Sequence, residues 1–311
     1  MIVSSMGLPM ALVDVDQALS GDWREYEGKV DLIRVQDPPV ESWTRLREAG
    51  FLPKPQVVAW RAEVLDSEDR YLGTLPRKDR YDIRTAYRRA GEGGLRVGTE
   101  PLTAGLLEEF LELYERQVAA MRHGWAVAVE QRRNILAEAE SYCAVMVRSQ
   151  GTLVAGCLNQ DVPAKDEIRA RFSAVSSDHR HDSLARLLYW EMLREARGRK
   201  RRWASLGRDI NLYGHVVKPG LFSFKSRLGF AAVPGQLLEP GSGSHQADRV
   251  VRFKELTDPT LLLSYAPVAG EAAALAAPLQ LNLCTPSEEL DTGPYRGVGL
   301  AGTTVHTVRP T

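Results

Sequence analysis

Three arginines follow one another at intervals of four residues, at Arg80, Arg84 and Arg88. This spacing predicts a straight stripe of guanidinium groups along one face of a helix. Guanidinium groups bind phosphate oxygens through paired hydrogen bonds, so the stripe is suited to a phosphate-bearing substrate. The alternative is a solvated face on which the arginines pair with acidic neighbours. Those neighbours are Asp79, Asp82 and Glu92.

A second basic region covers residues 178–202, with eight Lys or Arg against four Asp or Glu. It ends in a run of four cations, in which Arg199 and Arg202 are candidate phosphate contacts. The alternative is again a solvated helix face.

The loop "SSDHRHDSLA", residues 176–185, precedes a predicted helix. Free N–H groups at a helix start attract anions, and the cations of this loop add to that field. The candidates for binding a phosphate-bearing donor are His179, Arg180, His181, Ser183, Ala185 and Arg186. The alternative is that Asp182 or Ser183 caps the helix and that the histidines are surface residues.

The segment "LGRDINLYGHVVKPG", residues 206–220, collects side chains that can bind or move protons. Asp209 and His215 are candidates to orient an amine or take its proton, since histidine has an ordinary pKa of about 6.5. The alternative is structural. Asp209 and Asn211 would then satisfy turn backbone, and Tyr213 would be a packed ring with a solvated hydroxyl.

The next predicted helix contains "FSFKSRLGF", residues 222–230. At helical spacing Phe222, Lys225 and Gly229 share one face, while three other apolar residues form a separate stripe. We therefore expect Lys225 to lie off the main apolar stripe. A cation there could steady a phosphate or a developing oxyanion. The alternative is a lysine that is favoured near a helix C-terminus by the macrodipole.

These candidates depend on a distinctive order of elements from residue 95 onward. Apolar periodicity predicts a strand, a long helix with Thr103 as its cap, a second helix and three adjacent strands with a hairpin at Gly151. A helix, a strand, a short helix and two final strands, "FAAVPGQLL" and "RVVRFKEL", follow. Before residue 95 we predict a short helix in "DPPVESWTRLREAG" with Asp37 as its cap, and a strand in "QVVAWRAEVL".

This order resembles the GNAT acyltransferase fold between residues 95 and 255. The resemblance implies an α/β (α+β) fold with a mixed, mostly antiparallel sheet and flanking helices. A small N-terminal unit (residues 1–94) and a C-terminal extension (residues 256–311) would flank this domain. The GNAT donor loop reads Arg/Gln-x-x-Gly-x-Gly/Ala, and Arg180, Ser183 and Ala185 match it with serine in place of the middle glycine. The resemblance also implies that Tyr213 acts as a general acid.

Two segments, "YLGTLPRKDRYDIRTAYRRAGEGGLRV" and "FKSRLG", resemble the Fem-type branch of that superfamily. Fem-type enzymes move an amino acid from aminoacyl-tRNA onto an amine. The resemblance implies an active-site role for Lys225, which matches the lysine of the family's F-K-x-x-x-G pattern, and tRNA as the partner of both basic regions. The N-terminal unit is shorter than the second GNAT-like half of Fem enzymes, and no coiled-coil arm is predicted.

Composition limits the other function classes. The 311 residues carry 40 basic and 40 acidic side chains, so a net charge of zero gives no reason to expect a DNA partner. Three widely spaced cysteines predict reduced thiols and no metal site. No apolar run is long enough to span a membrane, and the N-terminus does not read as a signal peptide, so we expect a cytoplasmic protein.

We therefore predict an N-acyltransferase that forms an amide from aminoacyl-tRNA and a small-molecule or peptide amine, without a bound cofactor. Biosynthesis of peptide natural products is one setting for this reaction. The first alternative is an N-acetyltransferase that uses acetyl-CoA. The second is an inactive GNAT-like module that binds a partner through its basic regions or its C-terminal extension.

Overall fold

The structure is a computed structural model that describes residues 1–241 and 243–308. The side chains of residues 180–182 lie outside this description. Contacts divide the chain into two compact units, each described separately below. The first unit comprises residues 1–60, 208–226 and 230–311, and the second comprises residues 61–207 and 227–229.

The strands of the described residues are β1 (Ile2–Ser5), β2 (Leu8–Val13), β3 (Leu32–Gln36), β4 (Leu52–Pro55), β5 (Val57–Glu63), β6 (Leu95–Pro101), β7 (Tyr142–Ser149), β8 (Thr152–Val162), β9 (Glu167–Val175), β10 (Trp203–Ile210), β11 (Ala231–Pro234), β12 (His245–Val250), β13 (Thr260–Ser264), β14 (Gln280–Thr285) and β15 (Gly302–Thr307). The helices are α1 (Val15–Ser20), α2 (Trp43–Glu48), α3 (Glu68–Thr74), α4 (Arg77–Glu92), α5 (Ala104–Ala119), α6 (Val127–Glu130), α7 (Arg132–Ala137), α8 (Leu184–Gly198), α9 (Pro219–Arg227), α10 (Gly235–Leu238) and α11 (Glu271–Ala276).

The second unit is built on a sheet whose strands follow the order β6, β7, β8, β9, β10. The first three pairings are antiparallel, and β10 pairs with β9 in parallel. Strand β7 is buried on both faces because helices cover each side of it. Ala144 and Met146 pack into a core with α5, while Val145 and Val147 pack into a core with α4 and α8.

The first unit contains two further sheets. Strands β1, β2, β3, β12 and β4 form one sheet, in which β2 and β3 are parallel and the other pairs antiparallel. Strands β13, β14 and β15 form the other. Leu8 and Leu32 of the larger sheet share a core with Leu262 of the smaller one, and Leu212 joins them. The C-terminal segment thus contributes Leu256, Leu262 and Cys284 to the core of this unit.

The structure confirms the mixed α/β class and most predicted elements. Thr103 caps α5 by accepting a hydrogen bond from Leu106 N at 3.2 Å, and Gly151 turns the β7–β8 hairpin with φ of 89°. Trp43 begins α2 after Ser42, so the prediction of Asp37 as its cap was wrong. Asp37 instead accepts a hydrogen bond from His245 N, because its segment borders β12.

Three other predicted elements differ in extent. The single helix expected before β7 consists of α6 and α7, which are separated at Gln131. The strand expected in "FAAVPGQLL" ends at Pro234, where α10 follows, and the last strand lies at β12 rather than over "RVVRFKEL".

The compact units are discontinuous along the chain, whereas the predicted segments 1–94, 95–255 and 256–311 are continuous. Within the described residues, no helix is both long and apolar enough to cross a membrane.

Candidate functional site

One buried carboxylate of the first unit receives three hydrogen-bond donors. Asp209, near the end of β10, accepts from Trp60 Nε1 at 2.7 Å and from the Tyr213 hydroxyl at 3.0 Å, both at Oδ2. Lys225 Nζ lies 2.8 Å from Oδ1 and 2.9 Å from Oδ2. We call these four residues the Asp209 cluster. Three of the four residues predicted to be catalytic, Lys225, Tyr213 and Asp209, are therefore in direct contact.

Burial shifts the pKa values of Lys225 and Tyr213 in the Asp209 cluster. Lys225 is 5% exposed and Asp209 is 8% exposed. Burial lowers the pKa of Lys225, and Asp209 opposes that shift by pairing with the ammonium group. Burial also raises the pKa of Tyr213 well above its ordinary value, and the Asp209 charge adds to the effect. Tyr213 therefore keeps its proton at neutral pH and can act as a donor.

Helix α9 brings Lys225 to Asp209 by burying the face that the spacing predicted. Phe222 lies one turn before Lys225 and makes edge-on contacts with Trp60 at 5.5 Å and with Tyr213 at 5.8 Å between ring centroids. Phe222 and Lys225 do share a face, as predicted. Lys225 lies off the stripe of Leu221, Phe224 and Leu228, as expected, but its own face is buried as well, and the Asp209 carboxylate compensates its charge.

The C-terminal segment holds the loop that follows β10. Tyr213 and Leu261 of β13 exchange two backbone hydrogen bonds, at 2.9 and 2.7 Å. Asn211 Nδ2 donates to the carbonyls of Pro55 and Leu263, and Asn211 Oδ1 accepts from Leu263 N. Asn211 thus satisfies backbone groups, which was the structural alternative for it. Asp209 binds side chains instead.

His215 is buried in the same loop, two residues after Tyr213. The intervening Gly214 packs directly against β13, and a Cβ atom there would lie 2.3 Å from Thr260 Oγ1. The loop therefore needs glycine at this position. Its close packing fixes the backbone on both sides of Gly214.

The predicted donor loop precedes α8 in the second unit. Ser183 adopts φ of 59°, which is the left-handed conformation that the family's glycine would favour. The alternative for this loop was that Asp182 or Ser183 caps the helix. Ser183 does occupy the N-cap position of α8, but its side chain makes no capping hydrogen bond. His179 and Ala185 are half-buried. The side chains of Arg180 and His181 lie outside the described residues.

Arg186 is turned toward α4 rather than toward an open rim. Its side chain is 12% exposed, and its Nη2 lies 4.0 Å from Asp82 Oδ2. Burial lowers the pKa of Arg186, and Asp82 opposes this shift. A direct contact between Arg186 and a donor would need this guanidinium to reorient.

The arginine stripe lies on α4 in the second unit. Arg84 and Arg88 are exposed and Arg80 is half-buried. Two of the three acidic residues that could have neutralised them are engaged elsewhere, because Arg227 Nε pairs with Asp79 at 2.6 Å and Arg227 Nη2 with Asp82 at 3.1 Å. Among the residues described, the three stripe arginines have no ion-pair partner. The stripe is therefore available to an external anion.

The second predicted phosphate patch is compensated within the second unit. Arg199 lies 3.3 Å from Asp161 and 3.5 Å from Glu195. Arg202 lies 3.5 Å from Glu63 and stacks over the Trp203 ring at 5.1 Å. These pairings make Arg199 and Arg202 weaker candidates for phosphate binding than the α4 arginines, because an external phosphate would have to displace the paired carboxylates.

Sequence reasoning missed Trp60 and the C-terminal segment. Trp60 lies in β5, where a buried tryptophan is ordinary core, and its Nε1 hydrogen bonds to Asp209 and to the Tyr213 hydroxyl give it another role. The C-terminal segment has a composition rich in Ala, Pro, Gly and Thr, which gave no sign of the pairing between β13 and Tyr213. No local signal in the sequence could have indicated either contact.

Comparison with known proteins finds one family model that matches part of the chain. Residues 77–215 match the family described as acetyltransferase (GNAT) domain. The matched region includes α4 and the residues Asp209, Tyr213 and His215, and it ends before Lys225. No curated protein matches the chain.

Two solved structures are similar at low identity. The crystal structure of FemX has a TM-score of 0.47 and 15% identity, covering 78% of this chain and 80% of that one. The structure of L-PGS from Bacillus licheniformis has a TM-score of 0.41 and 11% identity, covering 79% of each chain. The family match covers residues 77–215, which is less than half of the chain, and this region is similar to the GNAT acetyltransferase domain.

Proposed function

We propose that this protein is an N-acyltransferase that transfers an aminoacyl group from aminoacyl-tRNA to an amine and so forms an amide bond. The observation that carries the proposal is the contact among Lys225, Asp209 and Tyr213. A carboxylate, a protonated phenol and an ammonium group within hydrogen-bond distance supply an acceptor of protons, a donor of protons and a positive charge. Amide formation from an ester needs these three functions.

The reaction balances on these groups. The acceptor nitrogen attacks the ester carbonyl carbon, and the bond from that carbon to the ribose oxygen breaks. Asp209 takes the proton lost by the amine, Tyr213 gives its proton to the ribose oxygen, and Asp209 returns a proton to Tyr213 through their 3.0 Å hydrogen bond. Lys225 stabilises the negative charge that develops on the carbonyl oxygen. His215 is a further candidate to orient the amine.

The arginine stripe supports a nucleic-acid donor over a smaller one. Arg80, Arg84 and Arg88 extend over two helical turns without an ion-pair partner among the described residues, and an RNA backbone offers phosphates at comparable intervals. A single pyrophosphate would engage only part of that length. The stripe thus favours tRNA as the source of the aminoacyl group.

An acyl-CoA donor is the second candidate, and one observation favours it. Ser183 adopts the left-handed conformation at the position where the GNAT donor loop carries glycine. The backbone before α8 can therefore take the shape that binds a pyrophosphate even without that glycine. An N-acetyltransferase of this kind would use the same Asp209 cluster.

The test is a transfer assay with one labelled amino acid at a time. Purified protein is incubated with aminoacyl-tRNA and a panel of small amines and short peptides, and labelled amides are separated from free amino acid. We expect product from at least one charged tRNA. Asp209→Asn is the matched control, because it keeps the size of the side chain and removes the proton acceptor. Product from acetyl-CoA but from no charged tRNA would replace the first candidate with the second.

A further inference from the structure

A basic pocket lies between α3 and α4 in the second unit. It has a volume of about 520 Å³. Helix α3 contributes Asp69, Leu72 and Gly73, and helix α4 contributes Arg77, Arg80, Tyr81 and Arg84. Both helices belong to one compact unit, so the pocket is formed within it.

The arginines of this pocket carry charge that the described residues do not neutralise. Arg77, Arg80 and Arg84 lie three and four residues apart on α4, which places them along one face. None of them makes an ion pair or a side-chain hydrogen bond with a described residue. Asp69 is the one carboxylate in the lining, so the wall formed by α4 is the side suited to a phosphate.

Tyr81 gives the pocket an aromatic surface. Its side chain belongs to the same helix face and is 62% exposed, although a large ring is usually buried. An exposed aromatic ring beside arginines is the arrangement that binds unpaired nucleotides, since every base can stack on the ring while cations hold the backbone.

Asp69 provides an acceptor on the opposite wall. It lies in the first turn of α3 and is exposed. An ionised carboxylate accepts hydrogen bonds and repels phosphate, so it suits a ribose hydroxyl or the amino group of a base. The two walls thus differ in the part of a nucleotide that each can bind.

We propose that this pocket binds one unpaired nucleotide of RNA. The arginines of α4 hold its phosphate, the base stacks on Tyr81, and Asp69 accepts a hydrogen bond from a ribose hydroxyl or a base amino group. The proposal rests on the function proposed above, because it assigns to the pocket one nucleotide of the aminoacyl-tRNA donor.

Binding of a fluorescein-labelled single-stranded RNA octamer, measured by anisotropy, tests the pocket separately from transfer. Tyr81→Ala should weaken binding about 5- to 150-fold, the equivalent of one lost base stack. Tyr81→Phe keeps the ring and should bind like the parent protein. Arg84→Ala should reduce the slope of log K against log salt by about 0.7. Arg88→Ala is the control outside the pocket. It should reduce the slope of log K against log salt by a similar amount, and Tyr81→Ala should still weaken RNA binding when it is combined with Arg88→Ala.

The alternatives give different results. Equal binding of RNA by Tyr81→Ala and by the parent protein would overturn the proposal. Displacement of the RNA by CoA at concentrations below the Kd of the RNA complex would overturn it as well. Weaker binding of a DNA octamer of the same sequence, with a smaller difference between RNA and DNA in Asp69→Asn, would assign the Asp69 hydrogen bond to the ribose hydroxyl, whereas equal binding of RNA and DNA would assign it to a base amino group.

Aminoacyl transfer is measured on the same preparations. Transfer with no effect of Tyr81→Ala on RNA binding defeats the pocket alone, whereas Tyr81-dependent RNA binding without any transfer defeats the proposed function alone. Because Tyr81 is exposed, its variants should keep the melting temperature of the parent protein.

Discussion

At the scale of single residues, the role proposed for the Tyr213 hydroxyl can be tested by removing that hydroxyl alone. Tyr213→Phe removes only an oxygen, and Trp60 Nε1 keeps its 2.7 Å hydrogen bond to Asp209. We expect a folded protein whose kcat for transfer falls about 10²- to 10⁴-fold, the usual contribution of a general acid. Steady-state kinetics with a donor ester of a more acidic alcohol gives the decisive comparison. The deficit should shrink with that donor, and an equal deficit for both donors would mean that Tyr213 does not protonate the leaving oxygen.

Lys225 is paired and buried, so its replacement should change stability as well as the proposed activity. Lys225→Ala should destabilise the protein by about 3–5 kcal/mol, since it leaves Asp209 as a buried carboxylate without its cation. The double variant Lys225→Met with Asp209→Asn removes both charges, and its free energy of unfolding should lie close to that of the parent protein. Urea denaturation measures both values.

Both variants should lose transfer. A double variant that folds and still transfers at the parent rate would show that the ion pair serves the fold alone.

The sequence predicts those features of the site that depend on neighbouring residues in the chain. Lys225 and Phe222 were assigned to one helix face because helical spacing is a local property. The burial of that face could not be predicted, because it depends on Asp209 and Trp60, which are distant in sequence. Lys225 of α9 can be buried because its partner, Asp209, lies in strand β10.

At the scale of elements, α4 is the part of the molecule that should govern salt dependence. Each phosphate that the stripe neutralises releases counterions, so log K for tRNA should fall with log salt by about 0.7 to 0.9 per contact. Arg84→Ala together with Arg88→Ala should reduce that slope by about one to two units and raise KM for charged tRNA. The chemical step should change little, because these side chains would bind donor and transition state alike.

Filter binding at several salt concentrations measures the slope. Lys225→Ala, checked for folding, should behave in the opposite way to the double arginine variant. Its transfer should be slow, while its slope of log K for tRNA against log salt should be unchanged. An unaltered slope in the double arginine variant would mean that the stripe is only a solvated face.

The elements differ in how far the sequence predicted them. Helices α5 and α8 and the hairpin of β7 and β8 were predicted because their apolar periodicity and turn residues lie within short stretches. The role of β13 was not, because its value to the site lies in backbone hydrogen bonds with Tyr213 and Asn211, which any residue types can make.

At the scale of the whole molecule, a net charge of zero conceals strong local fields. Asp79 and Asp82 pair with Arg227, while the neighbouring arginines of α4 have no such partner among the described residues. Formal charge counted along the chain gave both basic regions equal weight, and only the pairing within the fold distinguishes them. The division into compact units was equally hidden, because the first unit assembles three stretches of chain that are distant in sequence.

Lys54 should contribute measurably to the pH dependence of the free energy of unfolding. This residue is fully buried in β4, with Nζ 3.1 Å from Asp248 and 3.0 Å from Gln246 Oε1. Burial lowers the pKa of Lys54 to about 8, against the opposing charge of Asp248. Between that value and the ordinary lysine pKa, the unfolded chain binds more protons than the folded protein. The Lys54 contribution to stability must therefore rise with pH in this window and be lost as pH falls through about 8.

The comparison uses Lys54→Met, in which Asp248 keeps both hydrogen bonds to Arg34. Urea denaturation at pH 8 and at pH 9.5 gives the free energy of unfolding of both proteins. The parent should gain relative to the variant by up to about 1.4 kcal/mol per pH unit. Parallel pH curves would contradict a lowered pKa at Lys54.

The central claim is the identity of the donor, and a competition assay tests it most directly. Tritiated aminoacyl-tRNA and carbon-14 acetyl-CoA are supplied together with a pooled panel of amines and peptides, and both labels are followed in the amide products. We predict that tritium enters an amide with the parent protein, that Tyr213→Phe reduces this product at least about 10²-fold, and that carbon-14 does not enter. Amide product labelled with carbon-14 alone would contradict the account.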